Sequence, residues 1–394
     1  MSLDFRSKFS GRFEFESGEN DLYLKVKELR NSGNEIIDLT ISNPTRVKIT
    51  YPNEAILHSL SRSESLTYEP SPQGILSARE AVSKYYQERD IQVSADDLFL
   101  TSSSSEAYSY ILKLFCDPED EVLIPAPGYP LFEFLTVLEG VKFRSYSLNS
   151  MANWEIDFES FERNLSLKTK LIFLVSPNNP TGSVLSDSEF SRLVDLCEAR
   201  GIGLVLDEVF VDYFHEAGKI PPRFRTNRVP FFTVNGISKI LALPQMKLSW
   251  IHVDGPEKWK LECKERLEII ADTFLSVNTP IQFALPELLE WRRMIQGQIS
   301  RRIRRNLQSL NVLISDSKKL IFRSPAAGWY AILGSHSMQD PDTYCLQLLE
   351  SENTLVHPGS MFGFPEEEFV LIISLIAENE LFEEGISRIL RFSK

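Results

Sequence analysis

Between residues 97 and 253 short apolar runs alternate with stretches of helical periodicity. The runs are 97–101, 121–126, 141–148, 170–176, 203–210, 230–234 and 248–253. Between them, apolar positions recur at helical spacing over 131–138, 157–165 and 186–200, and after Ser103 through Ala107, Ile111, Leu114 and Phe115. Several of the strand candidates, such as KLIFLVS and GLVL, are apolar throughout. That pattern predicts an α/β fold with a mainly parallel, seven-stranded sheet covered by helices on both faces. In such sheets a ligand binds beyond the carboxyl ends of the strands.

The flanks read differently. Residues 1–35 form a polar arm leading into a helix at 21–31, and 36–41 is a short strand. The turn Ser42-Asn43-Pro44-Thr45-Arg46 follows, and a Pro/Ser/Gly loop holding Tyr68 enters a helix at 75–88. Beyond the sheet, helices are expected at 256–272, 298–318, 340–351 and 379–392, with strands at 329–333, 353–356 and 369–375. This makes a large domain of residues 47–289 and a smaller α+β domain of 1–46 with 290–394.

Polar residues stand where the strands end. Ser103 with Glu106 fits a capping box, and the run Ser102–Ser105 puts free amides and hydroxyls at a helix N-terminus, which favours an anion such as phosphate. Tyr129 follows the next strand. In Ser176-Pro177-Asn178-Asn179-Pro180-Thr181-Gly182 two prolines and a glycine fix a loop that holds the Asn179 amide in one orientation. Asp207 ends an apolar strand and needs a partner there; a protonated ring nitrogen would suit it. Lys239 lies within TVNGISKILAL, where desolvation favours the free amine, the form that makes Schiff bases. Each feature alone also has a structural explanation: a cap, a turn, a paired carboxylate or a paired lysine.

Composition narrows the function. The chain has 394 residues, 43% hydrophobic and 25% charged, with a formal net charge of −13. An acidic surface argues against nucleic acid or an anionic membrane as partner. The four cysteines are dispersed without a C-x-x-C, which fits a reducing cytosol and argues against a zinc or redox site. The arginines 301, 302, 304 and 305 read as a solvated helix face. No signal peptide or membrane span is expected.

Taken together, Tyr68 with Gly74, TSSSSEA, APGYP, SPNNPTG, DEVF, ISK and His357–Gly363 (HPGSMFG) resemble the class I/II aminotransferases, fold-type I enzymes that use pyridoxal 5'-phosphate (PLP). The resemblance spans nearly the whole chain and implies roles. Lys239 would hold PLP as a Schiff base and then move the Cα proton. Asp207 would keep the pyridine nitrogen protonated, Asn179 would donate to the 3'-oxygen, and Tyr129 would stack on the ring. Ser103 and Ser104, with Ser238 and Lys247, would bind the phosphate, and Gly236 would be the close-approach position beneath it. Tyr68 would reach a neighbouring subunit's phosphate, which implies a homodimer with shared sites and small-molecule partners, an amino acid and a 2-oxo acid. Three departures stand out. Phe210 replaces a tyrosine that donates to the 3'-oxygen, Lys247 replaces a phosphate-binding arginine, and Ile372 stands where an arginine would take the substrate carboxylate. Arg46 is the leading substitute for that last cation. The expected reaction is amino transfer. The alternative is a PLP-dependent C–S β-elimination on the same fold. A transcriptional sensor half is disfavoured, because no DNA-binding segment precedes the core.

Overall fold

The computed structural model describes residues 10–13, 20–216 and 218–394. Much of the expected N-terminal arm lies outside them. In chain order the strands are β1 (Ile37–Asp38), β2 (Leu98–Thr101), β3 (Glu121–Ala126), β4 (Lys142–Asn149), β5 (Glu155–Ile156), β6 (Thr169–Val175) and β7 (Gly203–Asp207). Then follow β8 (Phe231–Gly236), β9 (Ser249–Asp254), β10 (Ile321–Arg323), β11 (Tyr330–Ser335), β12 (Thr354–Leu355), β13 (His357–Pro358) and β14 (Phe369–Ser374).

The large sheet has the order β2-β9-β8-β7-β6-β3-β4-β5. It is eight-stranded rather than seven, because β5 adds a two-residue antiparallel edge to β4. A strand of two residues leaves no periodicity to read. The pairs β3–β4, β3–β6, β6–β7 and β7–β8 are parallel. β9 runs antiparallel to both β8 and β2, so β2 points the same way as β8. The carboxyl ends of β2, β8, β7, β6 and β3 therefore lie along one edge of the sheet. β7 is buried at every position, as a strand covered on both faces must be.

Apolar clusters fill both faces of this sheet, one around Phe99, Ile111, Phe173 and Val234, another around Leu123, Phe161, Leu193 and Leu206. A separate core packs β11 and β14 against the long helix Arg292–Ile314 and the helices Pro341–Glu352 and Asn379–Phe392. β10, β11, β14 and β13 form a second, antiparallel sheet. Its core also takes in Phe210, Tyr213 and Ala242, so the second core meets the large sheet where β7 and β8 end.

Several expectations are corrected. The strand expected at 36–41 is ordered as strand only at Ile37–Asp38, where it pairs in parallel with β12. The helix expected from 298 begins at Arg292, six residues earlier, because Gly297 does not interrupt it. The helices Asn53–Leu60 and Thr279–Glu290 were not foreseen; the second carries Pro286 inside it. Arg302 is no solvated residue: its guanidinium donates to the carbonyls of Val47 and Ile376 and ties the helix to the start of the large region.

Candidate active site

The shared carboxyl edge of β2, β3, β6, β7 and β8 assembles the side chains singled out above. The Ser103 hydroxyl caps the helix Ser104–Phe115 by accepting from the Glu106 amide at 3.1 Å. Glu106 does not complete a capping box. Its carboxylate accepts instead from the Ser102 amide at 2.7 Å and from the Ser276 hydroxyl at 2.5 Å. The amides of Ser104 and Ser105 find no acceptor among the described residues, which leaves a helix N-terminus open to an anion.

Asp207 ends β7 and is buried. Tyr108 donates its hydroxyl to Asp207 Oδ2 at 2.6 Å, and the Val209 amide donates to Oδ1 at 2.9 Å. Burial pushes the carboxyl up to about 6, against the pull of these two bonds. Each carboxylate oxygen keeps a lone pair for a further donor. Tyr108 is the residue that sequence reasoning missed. Its one signal was a polar atom on the buried face of the helix Ser104–Phe115. The neighbouring carboxylate, Glu208, turns away and is held by two bonds of 3.0 Å from Arg89.

Lys239 sits on the short helix Ile237–Ile240 directly after β8 and is partly buried. Its Nζ lies 4.6 Å from the ring centre of Trp329 and 5.4 Å from that of Phe210. Burial lowers the ammonium pKa to about 8, with the Asp207 charge pulling the other way. Gly236, one step before this helix, is extended, and a Cβ there would come within 2.2 Å of Ser249 Oγ on β9. The close approach at this glycine is to Ser249, its partner across the sheet.

The SPNNPTG loop is held by Asn178, another residue that sequence reasoning passed over. Its amide reaches the Pro127 carbonyl at 3.4 Å, and its Oδ1 accepts from the Thr181 amide and hydroxyl at 3.2 and 2.8 Å. Asn179 beside it is half-buried, and its Oδ1 has no hydrogen-bond partner among the described residues. Tyr129 packs edge-on against Phe132 at 5.5 Å between ring centres. Its phenol is pushed up to about 12 by burial and the Asp207 charge. Ser238 is partly buried beside Lys239.

Lys247, Arg46, Tyr68 and the departure at Ile372 complete the positions singled out above. Lys247 adopts a left-handed turn conformation, is exposed, and pairs with no group among the described residues. Arg46 follows a turn fixed by Asn43, whose Oδ1 accepts from the Thr45 amide and hydroxyl, and its own side chain is exposed. Tyr68 is 78% exposed. Ile372 is fully buried in β14, across from Ile332 and His357, so no cation takes that position.

A buried carboxylate with a free lone pair, a partly buried lysine, an anion-seeking helix terminus and an asparagine whose amide N–H can donate form a set of groups that fits PLP. The comparisons agree. The family described as "Aminotransferase class I and II" matches residues 34–382. The glutamate-pyruvate aminotransferase AlaA of Haemophilus influenzae is 26% identical over 384 residues, 94% of each chain. Nicotianamine aminotransferase 1 of Oryza sativa subsp. japonica is 28% identical over 348 residues, 84% of this chain and 69% of that one. The solved alanine aminotransferase of Pyrococcus furiosus superposes with a TM-score of 0.87 at 22% identity, covering 98% of this chain and 99% of its own. The chain belongs to the class I/II aminotransferase family and is a PLP-dependent transaminase of fold type I.

Proposed function

We propose that this chain exchanges an amino group between an amino acid and a 2-oxo acid through PLP held by Lys239. The observation that carries the assignment is the convergence of Lys239, Asp207, Asn179, Tyr129 and Ser103 from five strand ends onto one edge. When bound, PLP supplies a conjugated ring that withdraws electrons from the substrate Cα. Asp207 would accept from the protonated ring nitrogen, held in orientation by the bonds that its oxygens already accept from Tyr108 and Val209. Asn179 would donate to the 3'-oxygen, Tyr129 would stack on the ring, and Ser103, Ser104, Ser238 and Lys247 would hold the phosphate. Lys239 Nζ moves the proton at substrate Cα, and burial, which lowers its pKa to about 8, favours the free amine more than an exposed lysine would allow.

Arg46 is assigned to the substrate carboxylate, supported by its exposure and its turn against the second core. The alanine and glutamate-pyruvate relatives favour a small or acidic amino donor. The domain division at 46/47 and 289/290 is supported by the core of β11, β14 and the helix Arg292–Ile314, most of whose residues lie outside 47–289. A homodimer with shared sites is supported by exposed apolar residues around Tyr68. The reducing cytosol is supported by four unpaired cysteines; no helix of the described residues is long and apolar enough to cross a membrane.

One experiment tests the assignment. Borohydride reduction of the enzyme with PLP, followed by peptide mass analysis, should mark Lys239, and the spectral half-reaction with an amino donor should vanish in Lys239→Ala. In Arg46→Ala the half-reaction should persist with the donor's apparent KM raised about tenfold or more. A mark on another lysine overturns the cofactor assignment, and an unchanged KM overturns Arg46 alone.

A further inference from the structure

Trp329 is fully buried, yet its indole Nε1 has no hydrogen-bond partner among the described residues. A buried tryptophan ordinarily satisfies that N–H. The ring is instead fixed by its surroundings. Its backbone carbonyl accepts from the Leu375 amide at 2.7 Å, Phe210 meets it edge-on at 5.6 Å, and Tyr213 does so at 5.1 Å. Tyr213 also donates its hydroxyl to the Lys239 carbonyl at 2.7 Å, so the same residue holds both the lysine backbone and the indole. The face left open by this packing carries Lys239 Nζ at 4.6 Å.

We propose that the face of Trp329, braced by Phe210 and Tyr213, is the resting place of the Lys239 amine whenever that amine is not covalently engaged. An aromatic face suits the task. It attracts the ammonium form through its quadrupole, but weakly and without a proton acceptor of its own, so the amine can leave it. A carboxylate in the same place would trap the amine as an ion pair. Among the described residues the charged group acting on this amine is Asp207, which the ring nitrogen of the cofactor would occupy. Phe210, with its ring centre 5.4 Å from Nζ, adds a second and more distant aromatic surface, without a hydroxyl to compete for the amine. Trp329 is in these terms a positioning residue for Lys239, and the proposal rests on the assignment of Lys239 as the cofactor lysine.

Because the ring stabilises the ammonium over the amine, weakening it should lower the pH at which the amine becomes free. The probe is PLP itself added to apoprotein, with the rate of covalent attachment followed by visible absorption across pH. Protein grown with mono- and difluorinated tryptophan keeps the shape of the ring and reduces its quadrupole. The midpoint of the rate profile should fall stepwise with fluorination, and further in Trp329→Phe and Trp329→Leu, by about one pH unit in the last. The Phe and Leu variants in ordinary medium assign the effect to this one tryptophan of five. If Trp329→Leu does not fold, the fluorinated series and Trp329→Phe decide the matter. Identical midpoints throughout would overturn the proposal. Attachment at a lysine other than Lys239, seen by peptide mass, would instead overturn the assignment on which it rests.

Discussion

Asp207 and Lys239 are both held against their ordinary ionisation, and that has a cost in the apoprotein. Asp207 is raised from 3.8 to about 6, mainly by burial. Between those values the folded state binds more protons than the unfolded chain, so stability falls as pH rises through the window. Above it the buried carboxylate costs about 3 kcal/mol, the equivalent of the shift. Lys239 is lowered from 10.5 to about 8, again by burial. There the folded state binds fewer protons, so stability rises with pH between about 8 and 10.5 and is reduced below that window. It follows that Asp207→Asn should abolish transamination yet stabilise the apoprotein at pH 8. The gain is about 1–2 kcal/mol, less than the full shift because one of its two accepted hydrogen bonds is lost. Near pH 4 the gain should disappear. Denaturant unfolding at the two pH values checks this, and an equal gain at both would refute the electrostatic origin. Stability is given up here at two atoms, and both are atoms assigned to the cofactor.

At the scale of elements, the site depends on how closely strands and loops can approach. β8 and β9 meet at the rung Gly236–Ser249, where a methyl group on Gly236 would lie 2.2 Å from Ser249 Oγ and 2.9 Å from its Cα. The φ of Gly236 is ordinary for a strand, so the constraint is space and not conformation. Gly236→Ala should therefore cost about 2–3 kcal/mol, the usual range for overpacking, and displace the helix that carries Lys239. Ser249→Gly in the same chain should restore part of the stability, which thermal unfolding of the single and double variants would measure; no recovery would mean that the clash lies elsewhere. Neither this contact nor the Tyr108–Asp207 bond was legible in the sequence, because both join residues far apart in the chain. Most central strands were legible within a residue or two, since parallel strands buried on both faces leave continuous apolar runs, but the one expected at 203–210 ends at Asp207. Where local chemistry misled, the reason is physical. The helix expected from 298 extends back through Gly297 to Arg292, and a helix with Pro286 inside it was not foreseen at all. The capping box failed because Glu106 found better donors in Ser102 and Ser276. Asn178, next to the expected Asn179, was overlooked because a loop's internal staple and its functional group are the same residue type.

At the scale of the whole molecule, an acidic protein with a formal net charge of −13 carries exposed apolar residues at the Tyr68 loop and beyond it. Leu66 is 90% exposed and Tyr68 78%, and Leu57, Ile269, Phe274 and Leu275 are also open to solvent. Tyr68 shares a cleft of about 290 Å³ with Leu275, Ser276 and Asn278. That cleft lies close to Glu106, through its bond to Ser276, and hence to the helix terminus assigned to the phosphate. A second copy of the chain laid over this surface would bury the apolar residues and could bring its own Tyr68 to the phosphate, as an isologous interface requires. The arrangement makes a sharp prediction. Lys239→Ala and Tyr68→Ala should each be poorly active alone. In a mixed dimer, one site inherits both defects and the other inherits neither, because its lysine and its tyrosine come from different subunits. Unfolding and refolding an equal mixture should then recover about a quarter of the wild-type activity, half of the dimers being mixed with one intact site each. If Tyr68 instead serves the site of its own subunit, every site carries at least one defect and mixing recovers nothing. Sedimentation of the mixture at the assay concentration separates that outcome from a failure to form dimers, so the measurement reads both the assembly and the subunit from which the tyrosine comes.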